Sequence, residues 1–118
     1  MNSNYEIETT IKVERLNAAL GACQSGGGRW WSYRVGHMTF VLLIGDPSGR
    51  GNVVITLAAC EHLSGPTSWS DQHLRVSFVA DQEGCVFEVR DPTVNFLARA
   101  RMLAWSKDTN ILHLPSST

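Results

Sequence analysis

Side chains able to do chemistry gather in one stretch of this chain. Cys60, Glu61 and His62 are consecutive, and Trp69 and His73 follow within a few residues. A cysteine beside an imidazole suggests a thiolate nucleophile or a transition-metal ligand pair. Structural zinc needs three or four Cys, His or carboxylate groups in a tetrahedral cage. Here one Cys-x-His pair stands with His73 and His37 further away, and no paired-cysteine or histidine-on-helix spacing completes the set. Cys60 and His62, two apart on an extended strand, are expected to point to the same side. A reactive thiolate also needs a nearby cation or helix N-terminus, whereas its neighbour Glu61 is anionic. The plainer reading is one buried thiol and one surface imidazole, so no metal and no cofactor are expected. The stretch from Ser64 to Trp69 is a turn-rich loop. With Cys60, His62, Trp69 and His73 it defines the alternative reading, a small-molecule or enzymatic pocket.

Two glycine-rich stretches invite other chemistry. The run from Gly45 to Gly51 lacks the Gly-Lys-Ser/Thr ending of a phosphate loop. It also lies between two apolar runs rather than before a helix, so a hairpin loop is expected. The run Gly26-Gly27-Gly28 leads straight into Arg29, Trp30 and Trp31. Adjacent tryptophans on a strand point to opposite faces. One is therefore expected in the core and the other at an interface or stacked on a ligand or base, with a place under a loop as the plainer reading; large aromatics and arginine supply much of the binding energy at interfaces. Arg29, Trp30, Trp31 and Trp69 are the candidate binding residues. Arg90, Arg99 and Arg101 form a further candidate stripe, with an ordinary solvated face, paired to Glu88 or Asp91, as the plainer reading.

The elements that must position these groups are mostly strands. Tyr5 to Val13 alternates like a strand, while Val13, Leu16, Leu20 and Cys23 fall on one helix face. A helix over about 10–23 is expected, preceded by a short strand, with Thr9 or Thr10 as its N-cap. Glycines 26–28 stop it. Strands are expected over 30–35, 38–44 and 53–59, with the last two as adjacent central strands, and Gly36-His37 as a turn or bulge. Alternation marks two more strands around 74–78 and 87–89. Residues 94–105 are ambiguous. Asp91-Pro92 is a good helix start, but Phe96, Ala98, Ala100, Met102 and Ala104 share one strand face. On a helix Arg99 and Arg101 would lie about 200° apart, leaving no clean apolar face. A strand is favoured. The last six residues are expected to fray.

Length and composition bound the rest. The chain has 118 residues, 43% hydrophobic and 18% charged, with a net charge of −1. A single globular domain of α+β class is expected, a mostly antiparallel sheet of about five to seven strands with one N-terminal helix on a face. The charge balance makes nucleic acid an unfavoured partner. The longest apolar run, Phe40 to Ile44, is far short of a membrane span. The first six residues lack the features of a signal peptide, so a cytoplasmic protein with reduced cysteines is expected. The expected function is a small non-enzymatic binding or accessory domain, acting as a homo-oligomer or with a protein partner.

Overall fold

Twenty residues, Ser3–Ala22, form the single described helix, α1. The structure, a computed structural model, describes residues 3–23, 26–34, 38–45 and 52–108, and for residues 3, 29–34 and 108 the backbone alone. The helix starts earlier than the sequence suggests, and no strand precedes it among the described residues. Thr9, Val13, Leu16, Leu20 and Cys23 are buried at steps of four and three, the period of one helix face. Thr9 is thus inside the helix and packed, not a cap, and the alternation of Tyr5, Ile7 and Ile11 leaves all three exposed. The helical period wins because burial against the sheet follows it through Cys23.

Seven strands follow: β1 (Gly28–Arg34), β2 (Thr39–Gly45), β3 (Asn52–Ser64), β4 (Ser68–Trp69), β5 (Arg75–Asp81), β6 (Gly84–Asp91) and β7 (Phe96–Asp108). They form one sheet in the order β4-β1-β2-β3-β7-β6-β5, with every neighbouring pair antiparallel. The class is α+β, as the sequence implies. The ambiguous segment is the long strand β7, and β2 and β3 are the expected adjacent pair. Residues 46–51, with the expected hairpin loop, lie outside the described residues, as do Gly36, His37 and the last six residues.

The core lies between α1 and the inner sheet face. Val13, Leu16 and Leu20 join Phe40, Leu42 and Ile44 of β2, Val53, Ile55 and Leu57 of β3, and Phe87 and Val89 of β6. Long strands β3 and β7 do not keep one parity along their length. Leu57 pairs with Leu103 and both are buried, while Cys60 pairs with Ala100 and both are buried. These inward positions are three apart on each strand, so each strand turns over once between them. Ala59, at φ 52°, absorbs the turn in β3. The expected single face of Phe96, Ala98, Ala100, Met102 and Ala104 is therefore split: the first three are buried and the last two exposed.

Three side chains fasten α1 to the sheet. The Asn17 amide donates to the Val76 carbonyl at 2.9 Å and accepts from the Val76 N–H at 2.8 Å, imitating a neighbouring strand at the β5 edge. Fully buried Gln72 donates to the carbonyls of Leu20 and Cys23, both at 2.9 Å, and accepts from Leu74 N–H at 2.8 Å. It adds a second hydrogen bond to two carbonyls at the helix C-terminus, which also accept from the Cys23 and Gly26 backbone N–H groups. Lys12 donates to the Leu103 carbonyl at 2.7 Å with its ammonium 5.3 Å from the Phe87 ring centre. It reaches the place where β6 leaves β7, since that ladder ends at Ala100.

The glycine run acts by close approach. A Cβ on Gly26 would lie 1.7 Å from the Gly45 carbonyl oxygen, and one on Gly27 would lie 2.6 Å from that of Trp69. By contrast, nothing lies within 4 Å of a Cβ on Gly21. Gly26→Ala should therefore destabilise the fold by about 3 kcal/mol, since the contact is backbone that cannot rotate away. Gly21→Ala should stabilise it by about 0.5–1 kcal/mol through helix propensity. Denaturant midpoints of the two variants should move in opposite directions; a shared direction would refute this assignment.

Candidate functional site

The sheet positions the predicted chemical residues on different sides. Cys60 is buried in the core cluster, whereas His62 is exposed. The reason is a bulge: Cys60 pairs with Ala100 and His62 with Arg99, so Glu61 is the extra residue. A bulge sets two residues of one strand opposite one of its neighbour and re-aims the side chains beyond it. The expected common side for Cys60 and His62 is thus corrected. The thiol donates weakly to the His62 carbonyl at 3.5 Å, and its pKa is pushed up, chiefly by burial. A buried, protonated thiol is a poor nucleophile. On the exposed side, His62 Nε2 lies 3.2 Å from Ser64 Oγ.

Trp69 and His73 are brought together, but around a residue that the sequence offers only as a helix start or an arginine partner. Asp91 is fully buried. Its Oδ2 accepts from Trp69 Nε1 at 3.0 Å and from the His73 backbone N–H at 2.7 Å. Its Oδ1 accepts from the Thr93 backbone N–H at 3.0 Å and from Thr93 Oγ1 at 2.5 Å. Burial is the strongest single influence on this carboxyl and pushes its pKa up. The combined hydrogen bonds from Thr93, His73 and Trp69 outweigh it and hold the pKa below the ordinary 3.8. All of these donors are uncharged groups, so the anion is solvated by fixed dipoles rather than by a counter-ion. The signal in the sequence was the Asp-Pro-Thr order, an aspartate that can bond the backbone two residues on.

The Trp69 ring is half-buried. Its centroid is 4.9 Å from that of Phe96, and Gly28 leaves room for it, since a Cβ there would lie 3.0 Å from the indole. The backbones of Arg29 and Trp30 pair with Leu43 and Leu42, and Trp31 falls at a register irregularity. The side chains of these three lie outside the described residues. A shallow hollow of ≈ 320 Å³ opens beside the β6–β7 turn, lined by Ser64, Arg90, Pro92, Asn95, Phe96 and Leu97. Cys60 and His73 do not line it.

The arginine stripe is paired. Arg99 contacts Glu88 through Nε at 3.1 Å and Nη2 at 2.9 Å, and Arg90 reaches the same carboxylate at 2.6 Å. These arginines, Arg99 first, hold the Glu88 carboxyl below its ordinary range. Arg101 meets Glu61 at 3.0 Å, Asp81 at 2.9 Å and Glu83 at 3.5 Å. Its hydrogen bond depresses the Asp81 pKa. Among the described residues, no group of three or more His, Cys, Asp or Glu is placed to hold a metal ion, and no helix is long and apolar enough to cross a membrane. No protein family, curated protein or solved structure was found that matches the chain.

Asp91→Asn should destabilise the protein by about 2–3 kcal/mol, because an amide N–H₂ would face the donors from Trp69 and His73. A depressed folded-state pKa gives stability that is present above the unfolded value and lost as pH falls through the folded one. The gap in thermal midpoint between wild type and variant should thus be full at neutral pH and shrink below about pH 3.8. A gap that stays constant down to about pH 2 would sink the assignment.

Proposed function

We infer that this chain is a small non-enzymatic binding domain, acting through protein–protein contact in a reducing compartment such as the cytoplasm. The observation that carries this reading is the exposure of large apolar side chains while the chemical groups are dispersed. Val79 is 68% exposed, Met102 60% and Ile7 57%. Apolar side chains left in water mark contact sites where they gather into a patch. An enzyme needs titratable groups converging in one concave site. Here Cys60 is enclosed in the core, His62 is on the outer face, and the Asp91 carboxylate is saturated by structural donors. Those facts weigh against the pocket of Cys60, His62, Trp69 and His73, which remains the second reading. Three free, buried cysteines suit a reducing compartment.

The test is a photo-crosslinking side chain placed at Val79, Met102 or Ile7 in the full chain inside expressing cells. Discrete protein adducts are expected at one or more of these positions and not at the polar turn residue Gln82. Absence of adducts at all three, with a small molecule co-purifying with wild type and lost in His73→Ala, would replace this reading with the pocket.

A further inference from the structure

The outer face of β3, β7, β6 and β5 carries a charge gradient along its strands. Strand register divides it into rows. Ser64, Leu97, Arg90 and Arg75 align in the first row, and His62, Arg99, Glu88 and Ser77 in the second. In the third, Val86 pairs with Val79, with Arg101 and the bulge residue Glu61 joined beside them. In the fourth, Gly84 pairs with Asp81, next to Glu83 of the turn. The first row has two arginines and no acid, and the fourth has two acids and no base. The rows between them are close to neutral. Rows two residues apart are about 6.8 Å apart, so the gradient runs over about 20 Å.

Among the described residues each end is only partly balanced. Arg75 and Arg90 are directly opposed across the ladder, where like charges repel. Arg90 leans to Glu88, and Arg75 has no ion-pair partner among the described residues. At the other end, Glu61, Asp81 and Glu83 share the one guanidinium of Arg101. Glu83 is its most distant partner, with a side chain 80% exposed. Between the two ends stands Val79.

We propose that this face, with Arg75 and Arg90 at one end and Asp81 and Glu83 at the other, is the contact surface of a homodimer. Its two-fold axis lies in the plane of the face and runs across the strands. The proposal rests on the binding-domain reading above and names the partner as a second copy of this chain. Such an axis sets the first row of one copy against the fourth row of the other and keeps β5 over β5. Arg75 then meets the second copy's Asp81, Arg90 meets its Glu83, and the two rows of zero net charge face each other in the middle. An axis along the strands would set the acid-free first row of one copy against the same row of the other. A uniformly acidic partner, protein or nucleic acid, would suit the first row and be repelled by the fourth. A second copy matches both ends at once, the self-complementarity a two-fold contact requires. Four strands about 4.8 Å apart and about 24 Å long give a combined area of about 900 Å² for the two copies. That is below the ~1,200 Å² of stable interfaces, so the dimer is weak and sensitive to salt.

Sedimentation equilibrium of the full chain from about 10 μM to 1 mM tests this. A reversible monomer–dimer equilibrium is expected, its dissociation constant rising at least about threefold as salt is raised from about 50 to 500 mM. Arg90→Glu alone and Glu83→Lys alone should each weaken dimerisation by about tenfold, with far-UV circular dichroism unchanged because both side chains are on the surface. Mixing the two variants should restore association, because each copy then offers the charge the other needs. A protein that stays monomeric at the highest concentration overturns the proposal. So does a dimer indifferent to both substitutions. If a monomeric protein still gives crosslinked adducts with other chains at Val79, self-pairing falls and the binding-domain reading stands.

Discussion

A single buried carboxylate, Asp91, ties together segments that the chain order keeps apart. It ends β6, holds the indole of Trp69 from β4, fixes the backbone before β5 through His73, and closes the turn into β7 through Thr93. A buried anion is tolerated when its lone pairs are filled by oriented donors. Here filling them requires four short hydrogen bonds from three segments, so the segments cannot drift independently. The close packing of Gly28 under Trp69 depends on the same anchor, because the ring position is set by its N–H. Gln72, one residue before His73, then caps α1. The helix is thereby held to the sheet through the short stretch that Asp91 secures.

Much of this fold could be read from periodicity. Strict alternation placed β5 and β6, the apolar run placed β2, and the three-and-four spacing from Val13 placed the helix face. The misplaced features share one cause: they depend on contacts distant in sequence. Tyr5 to Val13 alternates like a strand until the sheet selects Thr9 and Val13 for burial. The turn-over of β3 and β7 near Ala59 has no local signature, since Ala rarely adopts positive φ. It decided the candidate site, because with the bulge at Glu61 it sends Cys60 inward and leaves His62 outside. Asp91 was visible as a helix start and an arginine partner, but its role as acceptor for Trp69 and His73 depends on residues 22 and 18 positions earlier.

The two surfaces of the sheet use charge in different ways. On the inner side, Lys12 brings its ammonium to a strand carbonyl and an aromatic ring where the β6–β7 ladder stops. On the outer side, Arg101 spans the same gap from β7 to Asp81 and Glu83 at the β5–β6 turn. The hairpin is thus clasped from both faces where backbone pairing has ended. Exposed ion pairs contribute little individually. Their placement at the point where the ladder is lost gives them an orienting role that pairing elsewhere would make redundant.

The position of β7 bears on how the chain is made. It is the last of the seven strands to leave the ribosome, yet it lies inside the sheet, between β3 and β6. Until it is synthesised, β3 and the β5–β6 hairpin each present a bare row of backbone donors and acceptors toward an empty slot. Such rows recruit whatever extended chain is nearby. Without residues 96–108 the two halves share no ladder, so the exposed edges persist until β7 is in place. Insertion of one strand completes two ladders together, which makes closure of the sheet a late and cooperative event rather than the sum of earlier hairpins.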